Sequence, residues 1–160
     1  MSAGSSILIA IAICAVAAAL EGVCAGKNVK SYFAKLQWPA YSAPLWVWYI
    51  IGVLYYGICF TILYRIFRHE GDSTPKRISL TLILFMMAVN AFWNYLFFRL
   101  QNLFYSFIAG ILYPLVALAL FICLVQFDRI AAWSVVPYLI YQIYALRWNY
   151  GLWKINSRVR

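Results

Sequence analysis

Asn90 and Asn94 stand one helical turn apart, with Trp93 between them, inside a stretch that otherwise reads as membrane hydrocarbon. An amide at that depth has no water to bond and is costly unless another group or a ligand takes its hydrogens. Amide, aromatic and proline residues meet again in Trp38-Pro39-Ala40-Tyr41-Ser42-Ala43-Pro44-Leu45-Trp46, and amide with aromatics in Trp148-Asn149-Tyr150-Gly151-Leu152-Trp153-Lys154-Ile155-Asn156. The chemistry open to such patches is recognition: rings stack on a flat apolar surface while amides bond its polar edge. No buried acid–base pair or cofactor fingerprint accompanies them, so no catalytic residue is assigned. His69, the single histidine, sits beside Arg68, Glu70 and Asp72, far in sequence from other metal-type ligands. That speaks against a metal site or a haem held by a buried histidine.

The elements that must position these patches follow from composition. A chain of 160 residues that is 66% hydrophobic and 11% charged, with mean hydropathy +0.82, has too little polar surface to stay soluble as a monomer. It reads as a multi-pass integral membrane protein, in a membrane the sequence does not identify. About 20 apolar residues cross a bilayer, and spans are expected near 5–24, 45–67, 78–98, 103–127 and 131–153. The expected fold is all-α: one domain over 1–160, a bundle of five transmembrane helices with a long first loop folding over one end.

In the first span Ala17-Ala18-Ala19 has the look of a signal-peptidase site, but no Lys or Arg precedes it. The ladder Ala10, Cys14, Ala18, Gly22, Gly26 argues instead for a retained, packed helix, serving packing within one chain or a homodimer alike. The net charge of +9 does not point to nucleic acid, because the basic residues sit at span ends, where they anchor to lipid headgroups. Arg65, Arg68, Lys76, Arg77 and Arg129 fall on one side. Lys27, Lys30, Lys35, Arg99, Lys154, Arg158 and Arg160, with Arg147 inside the last span, fall on the other, a balance too even to fix orientation. Cys14, Cys24, Cys59 and Cys123 show no CxxC spacing and read as small packing residues.

The segment from Gly26 to Pro44 is too polar for a helix end and too aromatic for disorder, so it is expected to fold back on the bundle. Pro44 is placed to open the second span, Asp128 to cap the fifth, and Pro114 and Pro137 to bend theirs. Asn90, Trp93, Asn94 and Phe97 share one helical face, as do Tyr138, Tyr141, Gln142, Ala145 and Asn149. If both faces point inward, they line an aromatic cavity with a few amides. Equally, the amides are polar glue between helices. Trp46, Trp48, Trp133, Trp148 and Trp153 fall near span ends and read as an interfacial belt. Arg147 either snorkels to headgroups or meets a ligand carboxylate, and Glu21 is placed to pair with a loop lysine.

The order of these patches resembles the TspO/MBR family, the tryptophan-rich sensory proteins and mitochondrial translocator proteins, over roughly Tyr32 to Asn156. Trp38-Pro39-Ala40-Tyr41-Ser42-Ala43-Pro44-Leu45-Trp46-Val47-Trp48 is similar to its loop pattern K-P-x-W-x-P-P-x-W-V-F. Asn90 and Trp93 stand on its N-x-x-W, Pro137-Tyr138-Leu139 on its P-Y-L, and Ala145 with Asn149-Tyr150 on its A-T-x-L-N-Y. The chain departs from it at Tyr41, Gly52 and Tyr141, where the family usually has tryptophan, and at Ala43, which replaces a loop proline.

The resemblance implies a pocket, closed by the first loop, for a porphyrin or haem, or in some members cholesterol or a benzodiazepine-type drug. Tyr32, Pro39, Trp46, Asn90, Trp93 and Tyr138 carry over to it. With the two faces and the loop, the candidate ligand site is Tyr32, Pro39, Tyr41, Trp46, Asn90, Trp93, Asn94, Tyr138, Tyr141, Gln142, Ala145 and Asn149. A sterol pattern L-x-x-x-Y-x-x-x-K reads at Leu146, Tyr150 and Lys154. The function expected is a receptor or carrier for a tetrapyrrole or sterol, with lipids as its surroundings and no required cofactor. The alternatives are a membrane enzyme that degrades porphyrin, and a structural or assembly protein without a ligand.

Overall fold

A computed structural model describes residues 2–157; Arg158 and Arg160 lie outside the described residues. The described chain is helical throughout, as α1 (Ala3–Ala25), α2 (Val29–Lys35), α3 (Leu45–Arg68), α4 (Thr74–Asn94), a π-helical turn (Tyr95–Arg99), α5 (Leu103–Val125) and α6 (Arg129–Ser157). Side chains set the helix starts: Ser2, Ser73 and Asn102 accept from the backbone of Ser5, Lys76 and Tyr105, which occupies otherwise orphaned amides. Pro44 stands at the N-cap of α3. Pro114 and Pro137 fall inside α5 and α6, which continue through them.

Four helices are long and apolar enough to cross a membrane: Ala3–Ala25, Leu45–Arg68, Thr74–Arg99 and Leu103–Val125. That makes the chain an integral membrane protein by its own physics. The expected fifth span meets a different reality. α6 is the longest helix at 29 residues, but Gln142, Arg147, Asn149 and Lys154 dilute its apolar character, so length and composition alone do not mark it as a crossing.

The core has two parts. The larger is built from Cys59, Ile62, Leu63 and Ile66 of α3, Ile83 and Met86 of α4, Ala117 and Leu120 of α5, and Ala131 to Tyr138 of α6. The smaller gathers Tyr32, Phe97, Trp148 and Leu152 beneath the loop. α5 and α6 approach closely where Gly110 faces Asn149, whose Nδ2 lies 3.4 Å from where a Cβ would stand. α1 is the outlier, burying only Ser6 and Ala10. The small-residue ladder does not form its contact face. Ala10 and Cys14 face the bundle, but Ala18, Gly22 and Gly26 are exposed. The helical period of 3.6 carries a strict four-residue ladder off the seam, and Ala17 and Glu21 take over.

At the end opposite the loop, Asp128 accepts the Ala131 amide (2.9 Å) and both its oxygens take Arg65 Nε at 2.8 and 2.7 Å. One carboxylate therefore caps α6 and ties it to α3. Asp128→Ala removes the cap and leaves Arg65 without that anion. The expected loss is about 2 kcal/mol, read as a lower thermal midpoint in detergent, with Arg65→Ala/Asp128→Ala less than additive.

Candidate ligand site beneath the loop

The segment between α2 and α3 is held to α6 through side chains. Gln37 and Asn156 exchange two hydrogen bonds: the Gln37 amide donates to Asn156 Oδ1 (3.0 Å) and Asn156 Nδ2 to the Gln37 carbonyl (2.9 Å). This copies the pairing of two backbone strands. Further along, Tyr41 donates to the Arg147 carbonyl (3.1 Å), Ala43 N to the Tyr144 hydroxyl (3.0 Å), Tyr144 to the Tyr41 carbonyl (3.2 Å) and Trp148 Nε1 to Ser42 Oγ (3.1 Å). The Arg147 guanidinium lies 4.7 Å over the Tyr41 ring. So Arg147, expected at headgroups or on a ligand, instead covers a loop tyrosine. Gly151 makes the approach feasible, because a Cβ there would collide with the Tyr41 hydroxyl and press on Pro39.

Under this loop the rings form a continuous stack. Trp48 and Trp148 are 4.5 Å apart, Trp38 and Trp148 5.9 Å, Phe97 and Trp148 5.8 Å, and Trp93 lies on Phe97 at 4.7 Å. Trp148 is 2% exposed and Trp48 donates to the Ala43 carbonyl (3.2 Å). Neither is a belt residue, as their positions near span ends suggested. Each has its indole N–H bonded to the loop, which draws it inward. Trp46 and Trp133, at 63% and 67% exposure, keep the interfacial aspect. Deeper in the bundle the aromatic series continues through Tyr144, Tyr141, Tyr138 and Tyr55, with neighbouring centroids 5.3 to 6.4 Å apart.

The candidate residues therefore divide. Tyr32 and Trp93 join the stack beneath the loop, and Trp93 Nε1 donates to the Ser106 carbonyl on α5 (3.0 Å). Pro39 is buried at the loop, Tyr41 rests on α6 and Trp46 points outward. Tyr138, Gln142, Ala145 and Asn149 are buried, with Asn149 Nδ2 turned back on the Ala145 carbonyl (2.9 Å). Asn90 and Asn94 do not face α6. Asn90 Nδ2 donates to Glu21 Oε2 (2.7 Å) and Asn94 Nδ2 to Glu21 Oε1 (3.0 Å), joined by the Tyr56 hydroxyl on Oε2 (2.7 Å). Glu21 thus meets three neutral donors where a loop lysine was expected. Leu146, Tyr150 and Lys154 follow one side of α6, with Lys154 Nζ 5.6 Å from the Tyr150 ring and Tyr150 against Phe107 of α5.

Sequence reasoning missed Tyr144, Ser42, Gln37 and Tyr56, whose polar atoms make the loop and α1 contacts. Their signal was present only as polar atoms in apolar surroundings, without a period to mark them.

The sequence matches the description of the TspO/MBR family over residues 10–154. The chain belongs to the TspO/MBR family. No curated protein matches it significantly. In this TspO/MBR chain the segment between α2 and α3 closes on α6, and Trp93 lies in the ring stack below. Gly151→Ala should lift Tyr41 from α6. The loop is then expected to open roughly tenfold more often, for a cost of about 1.4 kcal/mol, seen as faster tryptic cleavage after Lys30 and Lys35 in the full-length protein.

Proposed function

We propose that this TspO/MBR protein is a five-span membrane receptor or carrier for a flat hydrophobic ligand, a tetrapyrrole or a sterol, taken up beneath the first loop. α6 supplies the fifth crossing, since at 1.5 Å per residue its 29 residues exceed the hydrocarbon thickness. The observation that carries the reading is the loop itself. It is held by single, separable side-chain hydrogen bonds over a stack of tryptophan and phenylalanine rings, so opening it uncovers a stacking surface without unfolding a helix.

Charge favours an acidic ligand of this kind. Lys27, Lys30, Lys35, Arg99, Arg147 and Lys154 belong to the loop end with Glu21 as its acid, whereas at the other end Glu70, Asp72 and Asp128 offset much of the charge of Arg65, Arg68, Lys76, Arg77 and Arg129. A basic mouth attracts the carboxylates of a porphyrin. Trp38, Trp48, Trp93 and Trp148 form the stacking walls, and Tyr41 with Arg147 forms the latch. Tyr138, Tyr141, Gln142, Ala145 and Asn149 border the deeper part.

One feature favours the scaffold reading instead: the rings beneath the loop already fill the space between them. The two readings separate in a tryptophan-fluorescence titration with protoporphyrin, haem and a sterol. A receptor gives saturable quenching, weakened roughly tenfold by Trp93→Ala, a loss of about 1.4 kcal/mol of stacking, with faster onset in Gly151→Ala. Non-saturable quenching by every ligand would leave the scaffold.

A further inference from the structure

Glu21 is the one acidic residue of α1, about one turn before its end, and it sits between α1, α3 and α4. Its Oε2 accepts the Tyr56 hydroxyl of α3 and Nδ2 of Asn90 of α4, both at 2.7 Å, and its Oε1 accepts Asn94 Nδ2 at 3.0 Å. Every one of these donors is neutral. The ion pairs among the described residues are Arg65–Asp128 and Arg77–Asp72, and neither involves Glu21. The charged and titratable groups near it are few. On α1 itself Cys14 and Cys24 flank it, and Lys27 follows the helix end. α3 presents Tyr56, with Cys59 beyond, and α4 presents only amides. From the π-helical turn, Arg99 Nη1 reaches the Val23 carbonyl at 3.4 Å, not the carboxylate.

A carboxylate in hydrocarbon without a counter-ion has two ways to be tolerated: strong hydrogen bonds to the anion, or a proton. The site is built for the first and has room for the second, because Oε1 accepts one bond and keeps a lone pair. We propose that Glu21, with Tyr56, Asn90 and Asn94, is a proton-binding site within the membrane that sets how firmly α1 is held against α3 and α4. The proton comes from water, and the only bond formed is O–H on the carboxyl group. Its arrival removes the negative charge that strengthens all three hydrogen bonds. A proton on that free lone pair needs an acceptor of its own, which the Asn94 amide supplies if it turns to offer Oδ1.

That turn has a structural consequence. Asn94 Nδ2 also donates to the Asn90 carbonyl (3.0 Å), and Asn94 is the last residue before the π-helical turn. Turns of this kind within a helix are sites where backbone bonding can rearrange. α1 packs Ala10, Ile13, Cys14 and Ala17 on the core, and to this the Glu21 bonds add side-chain hydrogen bonds to α3 and α4. The site stands apart from the rings beneath the loop and does not depend on which ligand, if any, binds there.

The test uses the full-length protein in liposomes. Dicyclohexylcarbodiimide, which enters membranes and reacts with protonated carboxyl groups, should label Glu21 increasingly as pH falls, located by peptide mass. In parallel, the thermal midpoint of the wild type should change with pH over the interval in which labelling changes, and that component should vanish in Glu21→Gln. Tyr56→Phe, which deletes one donor and keeps the ring, should displace the midpoint of the interval. Superimposable pH profiles for wild type and Glu21→Gln would overturn the proposal. Should Glu21→Gln not fold, an infrared carboxyl band whose pH midpoint is unmoved by Tyr56→Phe overturns it equally.

Discussion

Inside a bilayer no water is available to complete a hydrogen bond, so each polar atom must find its partner within the chain. That constraint organises this molecule. Most of its side-chain hydrogen bonds between elements gather at three polar seams: Glu21 with Tyr56, Asn90 and Asn94; the loop with Tyr144, Arg147, Trp148 and Asn156; and Asp128 with Arg65. Each seam fixes an element that apolar packing leaves loose. Between lipid and helix there is little hydrophobic preference, so packing alone does not select where α1 or the loop must lie. Polar contacts with one correct geometry do.

The aromatic rings act within the frame these seams set. From Tyr55 the series passes through Tyr138, Tyr141 and Tyr144 to Trp48, Trp148, Phe97 and Trp93. Rings offer large contact area with few rotatable bonds, so they pack against one another or against a flat ligand at similar entropic cost. The hydroxyls of Tyr55, Tyr113 and Tyr138, brought into the centre with their rings, have one another as polar neighbours, since a phenol left wholly unmet there is expensive.

Much of the helical outline was legible in the sequence, because apolar length and breakers are local signals. The loop's return to the bundle was legible too, from its aromatic mass. What escaped was direction. Asn90, Trp93 and Asn94 share one face, yet the amides turn to α1 and the indole to α5, because a face about a hundred degrees wide touches two neighbours. Trp148 was read as an interfacial residue from its position near a span end; Ser42 Oγ and the loop rings bring it inside. Glu21 showed itself as an anomaly, but its partners lie 35, 69 and 73 positions away in sequence, and no local pattern names them.

The departures from the family pattern acquire a physical sense from these contacts. Tyr41, in a tryptophan position of the loop, uses its hydroxyl on the Arg147 carbonyl and its face on the Arg147 guanidinium. An indole in its place lacks that hydroxyl and needs more room than Gly151 leaves. Tyr141 stands 5.9 Å from Tyr138 and 6.4 Å from Tyr144, extending a tyrosine series rather than opening a tryptophan wall. Gly52 has nothing within 4 Å of where its Cβ would stand, so the ring absent there leaves space on α3. The aromatic mass of this chain is gathered instead under the loop, at Trp48 near the start of α3 and Trp148 of α6. The loop meets the bundle where Tyr41 packs on Gly151 and Arg147, so under the proposed receptor reading this latch is what a ligand must open.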